Sequence, residues 1–332
     1  MITRKLWDSS VIPALGLGCW AIGGKWSAGD TPLGWGAVDD AESIRAVHAA
    51  VDNGIQFFDT AQAYGLGHSE RVLGTALKGF NNVKISTKVG ITIDETAKQL
   101  IGPDASPVQI EKSLAGSLQR LQRDHIDVIH LHLNSLSIVD AEPVFERLEL
   151  LRKRGTIGAY GWSTDYPDRA AAFAGRVGFV SIQHAMNVFF RADALVPVIE
   201  ENGLLSINRS PLAMGLLSGK YDGNSTLQAG DVRSQNMEWM SYFKDGRARP
   251  DYLKRLDAVQ ELLKSDGRSL VQGAIAWLWG RSKATLPIPG FRSVKQVEEL
   301  TGALEYGPLT SSVMNEIERV IVREPEGEPR DR

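Results

Sequence analysis

The chain has 332 residues, 43% hydrophobic and 23% charged, a net charge of −3 and one cysteine, Cys19. This is an ordinary balance for a globular protein, without the basic footprint that nucleic acid or an anionic membrane would require, and a lone cysteine excludes an internal disulfide or a cysteine-based metal site. No apolar run reaches membrane-spanning length, and Met1–Trp7 lacks the apolar core of a signal peptide, so the cytoplasm is the expected location.

Strand-like and helix-like segments then alternate. Short apolar runs predict strands near Ala14–Leu17, Ile55–Phe58, Val83–Thr87, Ile126–Leu131, Ile157–Gly161, Phe179–Gln183, Leu204–Asn208 and Thr285–Ile288. Eight strands close a parallel barrel, and repeated βα units favour one. Between them, Asp39 with Glu42, Ser106 with Gln109, Ser269 with Gln272 and Ser293 with Gln296 have capping-box spacing. Pro107 suits a first helical position, and Ile110, Leu114, Leu118 and Leu121 share one helix face. Gly54 and Gly280 are placed to end their helices. The expectation is one (β/α)8 TIM barrel over residues 1–323, with the charged stretch 324–332 as a disordered tail.

Two segments break the alternation. Residues 23–39 are glycine-rich and carry Trp26 and Trp35; residues 219–251 carry Trp239, Met240, Tyr242 and Phe243. Connections of this length are usually functional or disordered, and their aromatics favour the rims of a pocket at the C-terminal end of the barrel.

The run Asp59-Thr60-Ala61-Gln62-Ala63-Tyr64-Gly65 places a carboxylate and a phenol just beyond an apolar strand. A second strand ends at Lys88 and a third at His132. Barrel enzymes carry their chemistry at these strand ends. A reaction that builds negative charge on a substrate oxygen needs an aimed donor able to release a proton. A tyrosine with an ordinary pKa of about 10 releases it reluctantly. A nearby ammonium favours the phenolate, and a carboxylate can hold that ammonium. Tyr64, Lys88 and Asp59 supply this set, and a neutral His132 can orient the substrate oxygen. Each also has a structural reading: Tyr64 as a loop cover, Lys88 reaching solvent, Asp59 capping its turn. His130, on the same strand face as His132, is expected in the core.

The motifs stand in the order of a known family. Gly16-Leu17-Gly18-Cys19-Trp20, Phe58-Asp59-Thr60-Ala61 with Tyr64-Gly65, Ser86-Thr87-Lys88, Asp127 with His132, Ser163, Gln183, Ser210-Pro211-Leu212 with Gly215-Leu216-Leu217, and Ile288-Pro289-Gly290 follow one another. In this the chain resembles the aldo-keto reductases, NADPH-dependent carbonyl reductases on a (β/α)8 barrel, from about Leu15 to Leu309. The resemblance implies a catalytic tetrad of Asp59, Tyr64, Lys88 and His132, with Trp20, Trp26, Tyr64 and His132 at the substrate opening.

It also implies a distributed cofactor site. Ser163 and Gln183 match positions that hydrogen-bond the nicotinamide carboxamide, and Trp20 borders the same space. Thr164 stands where the family usually has Asn, and lacks the two-pronged amide. Arg209 replaces an aromatic residue that stacks on the nicotinamide in many relatives; its planar guanidinium can lie on a ring or reach a phosphate or a substrate oxygen. Ser210, Leu212, Gly215, Leu217, Ser218 and Lys220 match the segment along the pyrophosphate. Gly290, Arg292, Ser293, Gln296 and Glu299 match the adenosine end, where Arg292 would pair with the 2'-phosphate; a helix N-terminus suits that anion. Lysine, arginine and asparagine of some relatives are replaced by Gly290, Gln296 and Leu300, so NADH use stays open beside NADPH. The Rossmann glycine fingerprint is absent, and no metal is expected.

The expected activity is NAD(P)H-dependent reduction of an aldehyde or ketone, including a sugar-derived carbonyl, with Tyr64 as proton donor. The expected partner is that small molecule, with neither nucleic acid nor membrane, and the oligomeric state stays open. Three alternatives remain: a nucleotide-sensing binding protein of the same fold, a metal hydrolase built on His130 and His132, and a Schiff-base aldolase using Lys88.

Overall fold

Eight parallel strands carry the architecture: β1 (Leu17–Gly18), β2 (Phe57–Asp59), β3 (Lys84–Val89), β4 (Ile126–Leu131), β5 (Ile157–Ser163), β6 (Phe179–Ala185), β7 (Leu205–Arg209) and β8 (Thr285–Pro287). The computed structural model describes residues 1–228, 230–327 and 329. Each strand lies beside its successor in sequence. The ring closes between β8 and β1, where Gly16 N and Gly18 N donate to Pro287 O and Pro289 O at 2.9 Å and Gly18 bridges Gly290. Only glycine fits at the seam, since a Cβ on Gly18 would lie 2.8 Å from Ile288 O. The first strand is shorter and later than its apolar run predicts. Ala14 is diverted, its N–H donating to Ile2 O at 3.0 Å and its carbonyl accepting from Trp279 Nε1 at 2.8 Å.

Strand alternation sorts the side chains into two cores. On β4, Ile129 and Leu131 join the layer beneath the helices, while Val128 joins an inner cluster with Phe57, Ala159, Ile207 and Leu286. A hairpin without a sequence prediction, Thr3–Lys5 with Val11–Pro13, adds Leu6 and Ile12 to that inner cluster. These partners belong to the early parts of the strands, so the hairpin plugs the N-terminal end. The polar strand ends lie at the other mouth.

The outer layer is α1 (Asp40–Asp52), α2 (His68–Ala76), α3 (Pro107–Leu121), α4 (Ile138–Lys153), α5 (Pro167–Phe173), α6 (Leu195–Glu201), α7 (Pro250–Leu263), α8 (Leu270–Arg281), α9 (Val294–Tyr306) and α10 (Ser311–Val320). All four predicted N-caps accept a hydrogen bond from their helix, but only Ser269 and Gln272 form the reciprocal box. The other third residues turn elsewhere: Glu42 to Val294 N and Arg45, Gln109 to Ser113, and Gln296 to Arg292 N. Gly54, at φ 86°, follows the end of α1 as expected. Gly280 does not end its helix; it lies inside α8, where an added Cβ would meet Met314 Sδ of α10 at 2.9 Å. Packing against α10, and not chain termination, explains that glycine.

Both long segments contain short hairpins, Ser27–Ala28 with Thr31–Pro32 and Phe243–Lys244 with Arg247–Ala248. They are clasped together. Val232 N donates to Gly34 O at 2.8 Å, Trp35 bridges Asp231, and the Arg233 guanidinium lies 4.6 Å over the Trp35 ring. Arg233 also holds Asp231 with Nε at 2.9 Å and Nη2 at 2.6 Å, and donates to Met214 O at 3.1 Å. In the C-terminal stretch, Glu324 pairs with Arg255 at 3.1 Å and Pro329 O accepts from Tyr166 at 2.9 Å. Residues 328 and 330–332 of the expected tail lie outside the described residues. Among the described residues no helix is long and apolar enough to cross a membrane.

Candidate active site

Asp59 ends β2 and is buried, with three donors on its carboxylate. Lys88 Nζ, from β3, reaches Oδ2 at 2.7 Å; Ser86 Oγ and Gln183 Nε2 reach Oδ1 at 2.8 and 2.7 Å. Lys88 also donates to Thr60 O at 2.7 Å and stands 4.8 Å from the centroid of the Tyr64 ring. His132 follows β4, its ring edge-on to Tyr64 with centroids 6.1 Å apart. The structure thus brings together the four residues singled out at the ends of three successive strands.

The charges in this cluster are lopsided. Burial opposes the ammonium of Lys88, but Asp59 and Tyr64 outweigh it and raise the pKa. Burial raises the Tyr64 pKa as well, and the lowering by Lys88 does not overcome it. The phenol therefore holds its proton at rest, contrary to the simple expectation of a pKa lowered by the ammonium. Burial, then the Lys88 and Arg209 charges, push His132 well below the usual imidazole range, so it is neutral. His130 is fully buried and its pKa falls to about 3, through burial and then Lys88. Ser86 gives its only proton to Asp59, so His130 Nδ1 donates to Ser86 at 3.1 Å and Nε2 accepts from Ser181 at 2.9 Å. Both nitrogens are thus engaged in the barrel interior. Such a cluster offers a protonated phenol, a fixed ammonium beside it and a neutral imidazole around one point.

Trp20 stacks on Tyr64, with centroids 5.7 Å apart and planes at 19°. Trp35 meets Trp20 edge-on at 5.6 Å and Trp239 lies at 6.3 Å. These two tryptophans come from the two long segments. Trp26 is not in this group; it lines a cavity of about 890 Å³ with Lys25, Asp40, His68 and Arg71.

The ends of β5, β6 and β7 form the other half of the mouth. Ser163 Oγ approaches Gln183 Oε1 at 3.5 Å. Thr164 turns away, donating to Asn134 O at 2.7 Å and accepting from Tyr166 N at 3.2 Å. Arg209 pairs with Asp165, whose other oxygen accepts from Ala185 N at 2.9 Å. Beyond Arg209 the backbone is left-handed at Ser210, Ala213, Met214 and Gly215, with φ of 52°, 48°, 55° and 91°. Three of these are not glycine, and each such residue costs about 1–3 kcal/mol. Leu217 N and Gly215 N both return to Leu212 O, and Ser218 donates to Gly215 O at 2.7 Å. Lys220 lies over the Tyr221 ring at 5.2 Å.

At the start of α9, Ser293 caps Gln296 N and Gln296 Oε1 accepts from Arg292 N at 2.7 Å. Arg292 turns its guanidinium to Trp35 O, at 3.1 Å, and to Ala37 O. Glu42 of α1 occupies Val294 N at 3.0 Å. Glu299 lies on the same helix, and its carbonyl accepts from Gln272 at 3.2 Å. Gly290 joins the barrel seam by its bridge to Gly18.

A family model described as the aldo/keto reductase family matches residues 14–322. The chain belongs to the aldo/keto reductase family. The chain is 30% identical to aldo-keto reductase YhdN of Bacillus subtilis over 86% of its own length and 83% of that protein's. It is 28% identical to a probable voltage-gated potassium channel subunit beta of Oryza sativa, over 87% and 90% of the two chains. The glycerol dehydrogenase AKR11B4 from Gluconobacter oxydans superposes with a TM-score of 0.81, at 26% identity over 98% of both chains. The parallel (β/α)8 barrel is thus both the observed and the familial fold.

Several residues of this aldo/keto reductase site escape a reading of the sequence. Ser86 carried a signal, since it immediately precedes Thr87-Lys88. Asp165, two residues after Ser163, carried a weaker one. Trp35 and Trp239 lay in segments flagged for their aromatics, but nothing local selects them over Trp26.

Proposed function

We propose that this aldo/keto reductase reduces an aldehyde or ketone to the alcohol, with Tyr64 as the proton donor. The observation that carries the reading is the line from the buried Asp59–Lys88 pair to the half-buried Tyr64. Tyr64 keeps its proton until charge develops on a substrate oxygen, and the adjacent ammonium then stabilises the phenolate left behind. His132, neutral and edge-on to Tyr64, is placed to orient the same oxygen. NADPH supplies the hydride when bound. Its nicotinamide end fits the mouth beside Ser163, Gln183 and Arg209, where one Arg209 nitrogen is buried without a hydrogen-bond partner.

Ser210 to Lys220 fits the pyrophosphate through its left-handed backbone. Arg292, Ser293, Gln296 and Glu299 fit the adenosine end, with Arg292 turning from Trp35 O and Ala37 O to a 2'-phosphate. Glu42 beside that position makes room for NADH as a second cofactor. Trp20 and its aromatic neighbours suit a substrate with packed C–H faces, such as a sugar-derived carbonyl.

The reading as a Schiff-base aldolase is disfavoured, because a raised pKa keeps Lys88 an ammonium and not a nucleophilic amine. A nucleotide-sensing role is the second reading, favoured by the likeness to the potassium channel subunit. NADPH absorbance across a panel of aldehydes, ketones and sugars separates them. The reductase reading requires consumption with at least one carbonyl and its loss by about 100- to 10,000-fold in Tyr64→Phe, with NADPH still bound. Tight NADPH binding with no consumption across the panel selects the sensor.

A further inference from the structure

Arg209 and Asp165 form an ion pair at the ends of β7 and β5. Arg209 Nη2 pairs with Asp165, while Nη1 is buried without a hydrogen-bond partner. A buried donor left unmatched is costly, so this nitrogen marks a place where a ligand or its solvent belongs. The pair also has an orientation. Apart from burial, the charges acting on Tyr64 and His132 include the Arg209 cation. His184, buried on β6, responds after burial to the Asp165 anion ahead of Arg209. Asp165 is tied back by Ala185 N, which leaves the unpartnered side of the Arg209 guanidinium as the free end of the pair.

A carbonyl at this mouth receives its proton from the side of Tyr64 and His132, at β2 to β4. A hydride donor then has to rest against the ends of β5 to β7, where Ser163, Gln183 and Arg209 stand. We propose that Arg209 biases the bound nicotinamide toward its reduced form, so that the protein holds NADPH more tightly than NADP+. This rests on the reading of the site as a nicotinamide-dependent reductase. The reduced ring is neutral and the oxidised ring carries a positive charge. In the reaction a hydride leaves the ring and forms a C–H bond on the carbonyl carbon, while the carbonyl oxygen takes the Tyr64 proton. The ring that remains is a cation beside a cation, and like charges close together in a protein repel. Arg209 therefore promotes departure of the oxidised cofactor after each reduction. Asp165 moderates the effect.

The test is the ratio of the NADP+ and NADPH dissociation constants, measured by calorimetric titration of the full chain at one salt concentration. We expect NADPH to bind about 10-fold more tightly in the wild type, equivalent to about 30 mV in the bound two-electron couple. Arg209→Gln should bring the ratio close to one, Arg209→Lys should preserve most of it, and Asp165→Asn should widen it. A purely structural pair would not move the ratio in opposite directions. Equal affinities in the wild type, an unchanged ratio in Arg209→Gln, or a narrowed ratio in Asp165→Asn overturns the proposal. If Arg209→Gln does not fold, Asp165→Asn and Arg209→Lys decide it by the same criteria. A wild type that binds neither nucleotide removes the reading of the whole site instead.

Discussion

Gln183 donates its side-chain amide to Asp59 at 2.7 Å, joining β6 to β2 across the barrel mouth. These strands are not neighbours, so the bond ties the half carrying Tyr64 to the half proposed for the nicotinamide. A hydrogen bond to a charged group contributes about 1.5–3 kcal/mol. Gln183→Leu is therefore expected to lower kcat by about 10-fold or more, since Asp59 loses one of three donors and with it some of its hold on Lys88. Saturating kinetics on the wild type and variant check this. An unchanged kcat would detach Gln183 from the proton-donor group.

Lys88→Met should suppress turnover and also destabilise the protein. The Lys88–Asp59 pair is buried, and removing one partner of such a pair costs about 3–5 kcal/mol. Adding Asp59→Asn should recover part of the stability without recovering activity, because the uncompensated carboxylate is gone while the ammonium beside Tyr64 is still missing. Denaturant melts of the single and double variants read the first effect, NADPH consumption the second. A double variant no more stable than Lys88→Met would show that the charge pair is not the source of the loss.

Arg292→Ala should weaken NADPH by about 10- to 150-fold and NADH little, because only NADPH carries the 2'-phosphate. Glu42→Gln should act oppositely, tightening NADPH relative to NADH, since a carboxylate on Val294 N repels a phosphate brought to the same helix start. Titration of both cofactors into both variants checks the pair. Equal changes for the two cofactors would move Arg292 and Glu42 away from the 2' position.

Stability should fall on acidification. His130 and His184 are buried, with pKa values lowered to about 3 and about 4, mainly by burial. In the unfolded chain both titrate near 6.5. Between those values the unfolded state binds more protons, so stability present above about pH 6.5 is lost as pH falls toward the folded values. The slope approaches about 1.4 kcal/mol per pH unit for each histidine. Denaturant midpoints at pH 7 and pH 5 measure it, with His130→Gln expected to flatten the dependence. An equally steep loss in that variant would assign the acid sensitivity elsewhere.

The sequence by itself determined the eight strands, the N-caps and the polar residues at the strand ends. These are local properties: apolar runs, capping chemistry, and an alternation that fixes which side chain ends a strand. It also set Asp59, Tyr64, Lys88 and His132 apart, as polar residues at or just beyond strand ends whose motifs stand in the order of a known family. Tertiary structure decided the rest. Asp165 finds Arg209 44 residues away, and Gln183 finds Asp59 at 124; barrel curvature, not local pattern, brings such pairs together. The aromatic wall came from Trp35 and Trp239 and not Trp26, and Arg292 reached carbonyls 257 and 255 residues back. The two long segments have no hydrophobic period to fix their course. Their path depends on the clasp that Arg233 makes with Asp231 and Trp35, which exists only once the barrel has set both ends of each segment side by side.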